Sequence, residues 1–198
     1  MVPGAGGAES GQSDLAGLIA RADETALAAS GLGCLDRCLP LLGGTDQVLR
    51  PLWVSLADGT GWEGALAEVR RGLRDAGAAP DSAPGSDCGA AAVLARSMLD
   101  AVPAARSAGA LRSWADACST AALRVHRLLD AGDDGMTPLV AAELRRQIRV
   151  LELLETDGDA VTGGLRQVLD VSTEGRRVLR AVVSRSRRSE VRAGSDGA

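Results

Sequence analysis

Residues 111–130 read LRSWADACSTAALRVHRLLD and carry the most regular apolar pattern of the chain. Apolar side chains recur there at intervals of three and four residues, which is the spacing along one face of an α-helix. The segment therefore predicts an amphipathic helix that packs one face against the rest of the protein. The residues of this face are Leu111, Trp114, Cys118, Ala121, Val125 and Leu128.

The same spacing continues in both directions and is interrupted by short polar turns. The chain has no Phe and no Tyr, and Ala, Leu, Arg and Glu dominate over strand-forming residues. We therefore predict an all-α, single-domain bundle of about seven or eight helices over residues 13–185. Residues 1–12 and 186–198 lack an apolar period and are predicted to be a disordered leader and a disordered Arg-rich tail. Gly31 interrupts the first apolar stripe, and the pattern leaves open whether the helix kinks or breaks there.

Two helix starts have clear local signals. Ser86 or Asp87 is a candidate N-cap. It lies near the end of the Gly-, Pro- and Ser-rich segment 77–88, which is also a candidate subdomain boundary. Thr137 followed by Pro138 is typical of a helix start, with Thr as the cap and Pro at the first helical position.

The net charge of −4 is distributed unevenly along the chain. Residues 1–165 hold 14 Arg against 22 acidic residues, whereas residues 166–198 hold 8 Arg against 4. A body this acidic is not expected to bind duplex nucleic acid. The basic end has no aromatic side chains on which bases could stack. We therefore predict no nucleic-acid partner.

Residues 1–13 lack the positive and apolar regions of a secretory signal, so we predict none. No apolar run approaches the roughly 18 residues of a membrane span. We therefore expect a cytoplasmic protein with reduced thiols and no membrane contact. The absence of Lys, Asn, Phe and Tyr is typical of a GC-rich genome, which we interpret as an actinobacterial source. Under such a bias, the use of Arg in place of Lys carries little functional information.

Cysteine spacing raises the question of a metal site. Cys34 and Cys38 lie four residues apart, so both thiols point to one side of a helix. With Cys118 and His126 they would form a Cys3His zinc ligand set if the helices met there. The spacing lacks the C-x2-C turn that usually builds such sites, and Cys is common in packed cores. Core packing is the preferred interpretation, and no cofactor is predicted.

His126 is the only histidine and is a candidate general base. The sequence has no G-x-S-x-G motif and no nucleotide-binding loop, and no residue is spaced to be activated by His126. We therefore assign no catalytic residue. The alternative that stays open is a small-molecule-binding or catalytic bundle with a pocket near His126, Cys118 and Trp114.

A basic end and an acidic helix end are the candidate contact surfaces. Acidic side chains at a helix C-terminus oppose the helix dipole, so the acidic end is expected to meet a positive group such as the Arg-rich tail. The leading hypothesis is a non-enzymatic protein–protein interaction module, such as an adaptor, regulator or immunity-type partner, with a homodimer as a further option. The candidate partner-binding residues are Arg176, Arg177, Arg180, Arg185, Glu152 and Glu155.

Overall fold

A computed structural model describes residues 6–75, 86–130, 136–155 and 161–195. All regular structure in these ranges is helical, which confirms the prediction of an all-α, single-domain bundle. No helix in the described ranges is long and apolar enough to cross a membrane. The elements are α1 (Gly6–Arg21), α2 (Glu24–Arg37), a 3-10 turn (Leu39–Leu41), α3 (Arg50–Asp58), α4 (Trp62–Asp75), α5 (Asp87–Asp100), α6 (Ala108–Leu129), α7 (Pro138–Glu155) and α8 (Val161–Ser195).

Helix α2 is the central helix of the bundle. Every residue from Ala26 to Arg37 is buried, and the helix packs against α6, α7 and α8. A helix that is covered on all sides has no solvent-facing side for its charged residues. Asp36 and Arg37 of α2 must therefore find partners inside the protein.

Gly31 lies within α2 and allows a close helix crossing. A Cβ atom at this position would lie 2.4 Å from Cζ3 of Trp114 on α6. The indole Nε1 of Trp114 donates to the carbonyl of Met98 at 2.9 Å. The first apolar stripe breaks earlier, at Asp23, whose side chain caps α2 by accepting from the Ala26 amide at 2.7 Å. The helix therefore does not break at Gly31, and the glycine is explained by the close approach of Trp114.

Helix extends into both end segments for which the sequence predicted disorder. Helix α1 begins at Gly6, and α8 continues to Ser195. Adding a turn to a helix that is already anchored by core residues costs little, even where the sequence has no apolar period. Residues 1–5 and 196–198 lie outside the described residues, as does most of the predicted boundary 77–88.

Candidate functional site

A buried ion pair joins α2 to α7. Arg37 and Glu143 are both completely buried. The Arg37 guanidinium donates from Nε to Glu143 Oε2 at 2.8 Å and from Nη2 to Oε1 at 2.7 Å. Two parallel bonds of this kind are the strongest arrangement for an arginine and a carboxylate. They offset part of the cost of removing both charges from water.

Gln147 and Ser119 extend this ion pair to α6. Gln147 Nε2 donates to Glu143 Oε1 at 2.9 Å, and Ser119 Oγ donates to Gln147 Oε1 at 2.7 Å. Gln147 Nε2 also lies 3.3 Å from the Ser119 carbonyl oxygen. One hydrogen-bond network thus connects three helices through the buried side chains of Arg37, Glu143, Gln147 and Ser119. We call these four residues and the neighbouring His126 the charge cluster.

His126 is the member of the charge cluster that the sequence had singled out. Its ring is completely buried. Nδ1 lies 2.8 Å from the Ala122 carbonyl oxygen, and because a carbonyl only accepts, Nδ1 must donate. Nε2 lies 3.6 Å from Glu143 Oε2, beyond hydrogen-bond distance. The α6 backbone therefore fixes the imidazole beside the carboxylate.

Opposing effects set the pKa of Glu143. Burial raises this pKa. The positive charge of Arg37, the proximity of His126 and the hydrogen bonds from Arg37 and Gln147 lower it, and together they outweigh the effect of burial. The net result is a pKa below the ordinary value of a glutamate. The carboxylate is therefore ionised in the folded protein at neutral pH, as its pairing with Arg37 requires.

Two glycines make room for the Arg37 side chain. A Cβ atom on Gly175 of α8 would lie 2.3 Å from Arg37 Cδ, and one on Gly33 would lie 3.1 Å from Arg37 Nη1. Neither position can take a larger side chain without a shift of its neighbours. The arginine thus occupies a slot between α2 and α8 that depends on the absence of these two side chains.

A second set of buried polar contacts holds α8 against α2. Asp36 accepts hydrogen bonds from Arg176 on α8 and, at 3.1 Å, from Trp53 Nε1 on α3. Burial raises the pKa of Asp36, although Arg176 and Trp53 oppose the rise. Arg180, one turn further along α8, pairs with the half-exposed Asp46.

Most of the predicted partner-binding residues form ion pairs inside the protein. Four of the six form ion pairs within the chain. The acidic end of α7 meets Arg21 of α1, where the Arg-rich tail was expected. Of the six, the two that form no ion pair with a described residue are Arg177 and Arg185, which are exposed on α8. The internal pairs are Arg176 with Asp36, Arg180 with Asp46, Glu155 with Arg21 and, at 3.7 Å, Glu152 with Arg149.

The three cysteines of the alternative zinc ligand set, Cys34, Cys38 and Cys118, are completely buried in the core. Burial raises the pKa of Cys34 to about 12 and also raises the pKa values of Cys38 and Cys118 well above their ordinary value. A metal ligand must be a thiolate, which this burial disfavours. His126 is held through Nδ1 by the Ala122 carbonyl, and its Nε2 lies 3.6 Å from the Glu143 carboxylate. Within the described ranges, no group of three or more His, Cys, Asp or Glu residues is placed to hold a metal ion.

Two adjoining hollows open on the surface of the described residues. One has a volume of about 560 Å³ and lies between α1 and α6 beside the start of α5. The other has a volume of about 740 Å³ and lies between α6, α7 and the later part of α8. Both are lined by Asp87, Leu128 and Asp130, so the two hollows adjoin, and together we call them the trough.

The trough combines an apolar floor with a charged rim. Its rim charges form no ion pair with another residue in the described part of the chain. Ser119 lies on the floor and connects the trough to the charge cluster through Gln147. None of the trough's lining residues is His126, Cys118 or Trp114, so the predicted pocket near His126 remains a prediction. The floor includes Leu15, Ile19, Leu123, Leu129 and Val182, and the rim includes Asp87, Asp116, Asp130, Arg124, Arg127 and Arg185.

Sequence reasoning missed Arg37, Glu143 and Gln147 as members of a site. Arg37 lies one residue before Cys38, within the stretch that carries the apolar stripe of α2. Glu143 and Gln147 lie four residues apart, so they share one side of α7. This spacing beside an apolar face could have predicted that Glu143 and Gln147 act together. It could not have predicted that Arg37 pairs with Glu143, because these two residues lie 106 positions apart in the chain.

Comparison with family models, with curated proteins and with solved structures gave no match to this chain. The contacts and charges described above are therefore the basis of the functional proposal.

Proposed function

We propose that the protein is a protein–protein interaction module that binds an amphipathic helix of a partner protein in the trough. The observation that carries this proposal is the trough itself, which has an apolar floor and rim charges that form no ion pair with another described residue. A helix that enters such a groove buries its apolar face and keeps its polar face in water. This refines the interaction role predicted from the sequence and moves it to a different surface.

The length of the trough suits a short helix. Its α6 side runs from Asp116 to the end of the helix at Leu129. At about 1.5 Å per residue this corresponds to about 20 Å, or roughly four helical turns. A partner helix of that length would present apolar side chains at intervals of three and four residues to the floor.

The rim charges would select the partner and its direction. Asp87 and Asp130 line both hollows at the middle of the trough, whereas Arg124 and Arg127 are exposed on the α6 side. A complementary helix would place basic side chains against the two aspartates and acidic ones against the two arginines. Complementary charges of this kind contribute mainly to specificity and to the rate of association.

The placement of the reactive side chains supports binding over catalysis. His126 and Glu143 are fully buried, so a molecule in the trough would not contact either of them. No disulfide joins the four cysteines, all of which lie in the described residues. Cysteines without disulfides are usual in a reducing compartment, and this supports the proposed cytoplasmic location.

The test is affinity purification of the full chain from its native host, with one variant inside the trough and one outside it. Leu128→Glu places a charge on the floor shared by both hollows, and Val54→Glu places the same charge on α3, where Val54 is 47% exposed. We expect a stoichiometric partner with the wild type and with Val54→Glu, and its loss with Leu128→Glu. Circular dichroism should show that both variants remain helical.

The proposal also requires direct binding of the purified partner to the purified chain. Retention of the same partner by a folded Leu128→Glu variant would contradict the trough as the interface. A partnerless monomer that turns over a small molecule would contradict the interaction role altogether.

A further inference from the structure

Arg37 and Ser172 each bury a polar atom that has no hydrogen-bond partner. These atoms are Nη1 of Arg37 and Oγ of Ser172. Both residues are completely buried, so neither atom can reach bulk water. Buried polar groups in folded proteins are almost always hydrogen-bonded, and ordered water counts among their partners. Two such atoms in one part of the core therefore indicate a group that bonds to them.

Gly33 shows that the two atoms border one and the same space. A Cβ atom on Gly33 would lie 3.1 Å from Arg37 Nη1 and 3.3 Å from Ser172 Oγ, with Val150 Cγ2 next at 3.9 Å. The guanidinium of α2 and the hydroxyl of α8 thus approach the same side of the α2 backbone. Gly33 has no side chain, so no side chain of this residue separates the two atoms.

The chemistry of the two atoms defines what that group must be. A guanidinium nitrogen only donates hydrogen bonds, and a serine hydroxyl can donate or accept. The remaining nitrogens of Arg37, Nε and Nη2, are already used by Glu143 and by the Cys34 sulfur. The missing group must therefore accept from Nη1. It must also be small, since the aliphatic Val150 and the backbone of Gly33 border the same space.

We infer that the interior of the bundle binds a small hydrogen-bond acceptor, a water molecule or a halide ion, between Arg37 and Ser172. This site is independent of the trough and of the proposed function. The bound group completes the hydrogen bonding of Arg37 and links α2 to α8 on the side opposite to Glu143's carboxylate bonds. Buried waters with this role typically make about three hydrogen bonds.

Crystals of the full chain provide the test. Data from crystals grown without halide should show a density peak within hydrogen-bond distance of both Arg37 Nη1 and Ser172 Oγ. Data collected at the bromine absorption edge after a sodium bromide soak distinguish the two sources. An anomalous peak at this position identifies a halide site, and a peak without anomalous signal identifies water. The absence of any peak between the two atoms in both crystals would overturn the inference.

Variants give a second readout in solution. Ser172→Ala removes one of the two contacts, and its crystals should show the peak weakened or lost. A halide that binds only the folded state raises the melting temperature as its concentration rises. A halide site therefore predicts such a rise for the wild type at constant ionic strength, and a smaller rise for Ser172→Ala. A peak that stays unchanged in Ser172→Ala would contradict the assignment of Ser172 to the site.

Discussion

The charge cluster and the trough lie on neighbouring parts of α6 and use their charged side chains in opposite ways. In the charge cluster, Arg37 and Glu143 are buried and bond to each other. In the trough, Arg124, Arg127 and the aspartates of the rim have no ion pair with a described residue. Ser119 belongs to both regions. The buried charges therefore bond within the fold, whereas the charges on the trough are the ones that our proposal assigns to a partner.

The largest effect is expected from breaking the charge cluster. Glu143→Ala leaves the buried Arg37 guanidinium without its counter-charge, which typically costs about 3–5 kcal/mol. Denaturant unfolding should measure this loss in the free energy of unfolding. The matched control is Asp46→Ala, which breaks the half-exposed pair with Arg180 and should cost no more than about 1 kcal/mol. Similar losses for the two variants would show that burial does not distinguish these pairs.

Crowding at the α2–α6 crossing gives the next largest effect. In Gly31→Ala, the added methyl group would lie 2.4 Å from Trp114, and overpacking of this kind costs about 1–3 kcal/mol. Gly64→Ala on α4 is the control, because a Cβ there meets nothing within 4 Å and Ala is the better helix former by up to about 1 kcal/mol. The two substitutions should therefore shift the melting temperature in opposite directions. A rise for both would mean that α6 can move away from α2 at no cost.

Where helices begin could be predicted from the sequence, but which side chains meet between helices could not. The cap predicted at Ser86 is confirmed by the Gly89 amide, which donates to Ser86 Oγ at 3.1 Å. The start predicted at Pro138 is confirmed by α7. Such signals are local, and they depend only on neighbours along the chain. The bond between Arg37 and Glu143 depends on how α2 and α7 pack, which no local pattern encodes.

Arg176 shows where the pattern could have been used further. It was assigned to a partner surface because of its charge, yet it lies three residues before Leu179 and seven before Val183, which are both buried. That spacing places it on the buried face of α8. A charged residue in register with a core stripe predicts an internal partner. Here the partner is Asp36 of α2.

The two buried carboxylates should respond to acid with opposite signs. The folded-state pKa of Glu143 is lowered, because Arg37 outweighs the effect of burial. Its contribution to stability is therefore present above the ordinary glutamate pKa and is lost as the pH falls through the lower folded-state value. The folded-state pKa of Asp36 is raised by burial. Its contribution is therefore present below the ordinary aspartate pKa and is lost as the pH rises through the higher folded-state value.

Unfolding free energies measured from about pH 3 to about pH 7 should separate these contributions. Relative to the wild type, Glu143→Gln should lose less stability on acidification, because the group that takes up a proton on unfolding is gone. Asp36→Asn should lose more, because the group that favours the folded state in acid is gone. Parallel curves for all three proteins would contradict both assignments.

The trough should show the smallest effect on stability and a clear effect on binding. Arg124 and Arg127 are exposed and form no ion pair with a described residue. Arg127 lies in the last turn of α6, where a negative charge opposes the helix dipole. The double variant Arg124→Glu with Arg127→Glu should therefore lower the free energy of unfolding by no more than about 1 kcal/mol. The exposed Arg71 and Arg74 on α4 provide a control with the same two substitutions and the same change in net charge. With the purified partner, titrations at low and high salt should show weaker binding for the trough variant, and the difference should shrink as salt screens the rim charges. Equal losses of affinity in the two double variants would mean that net charge, and not the trough, governs association.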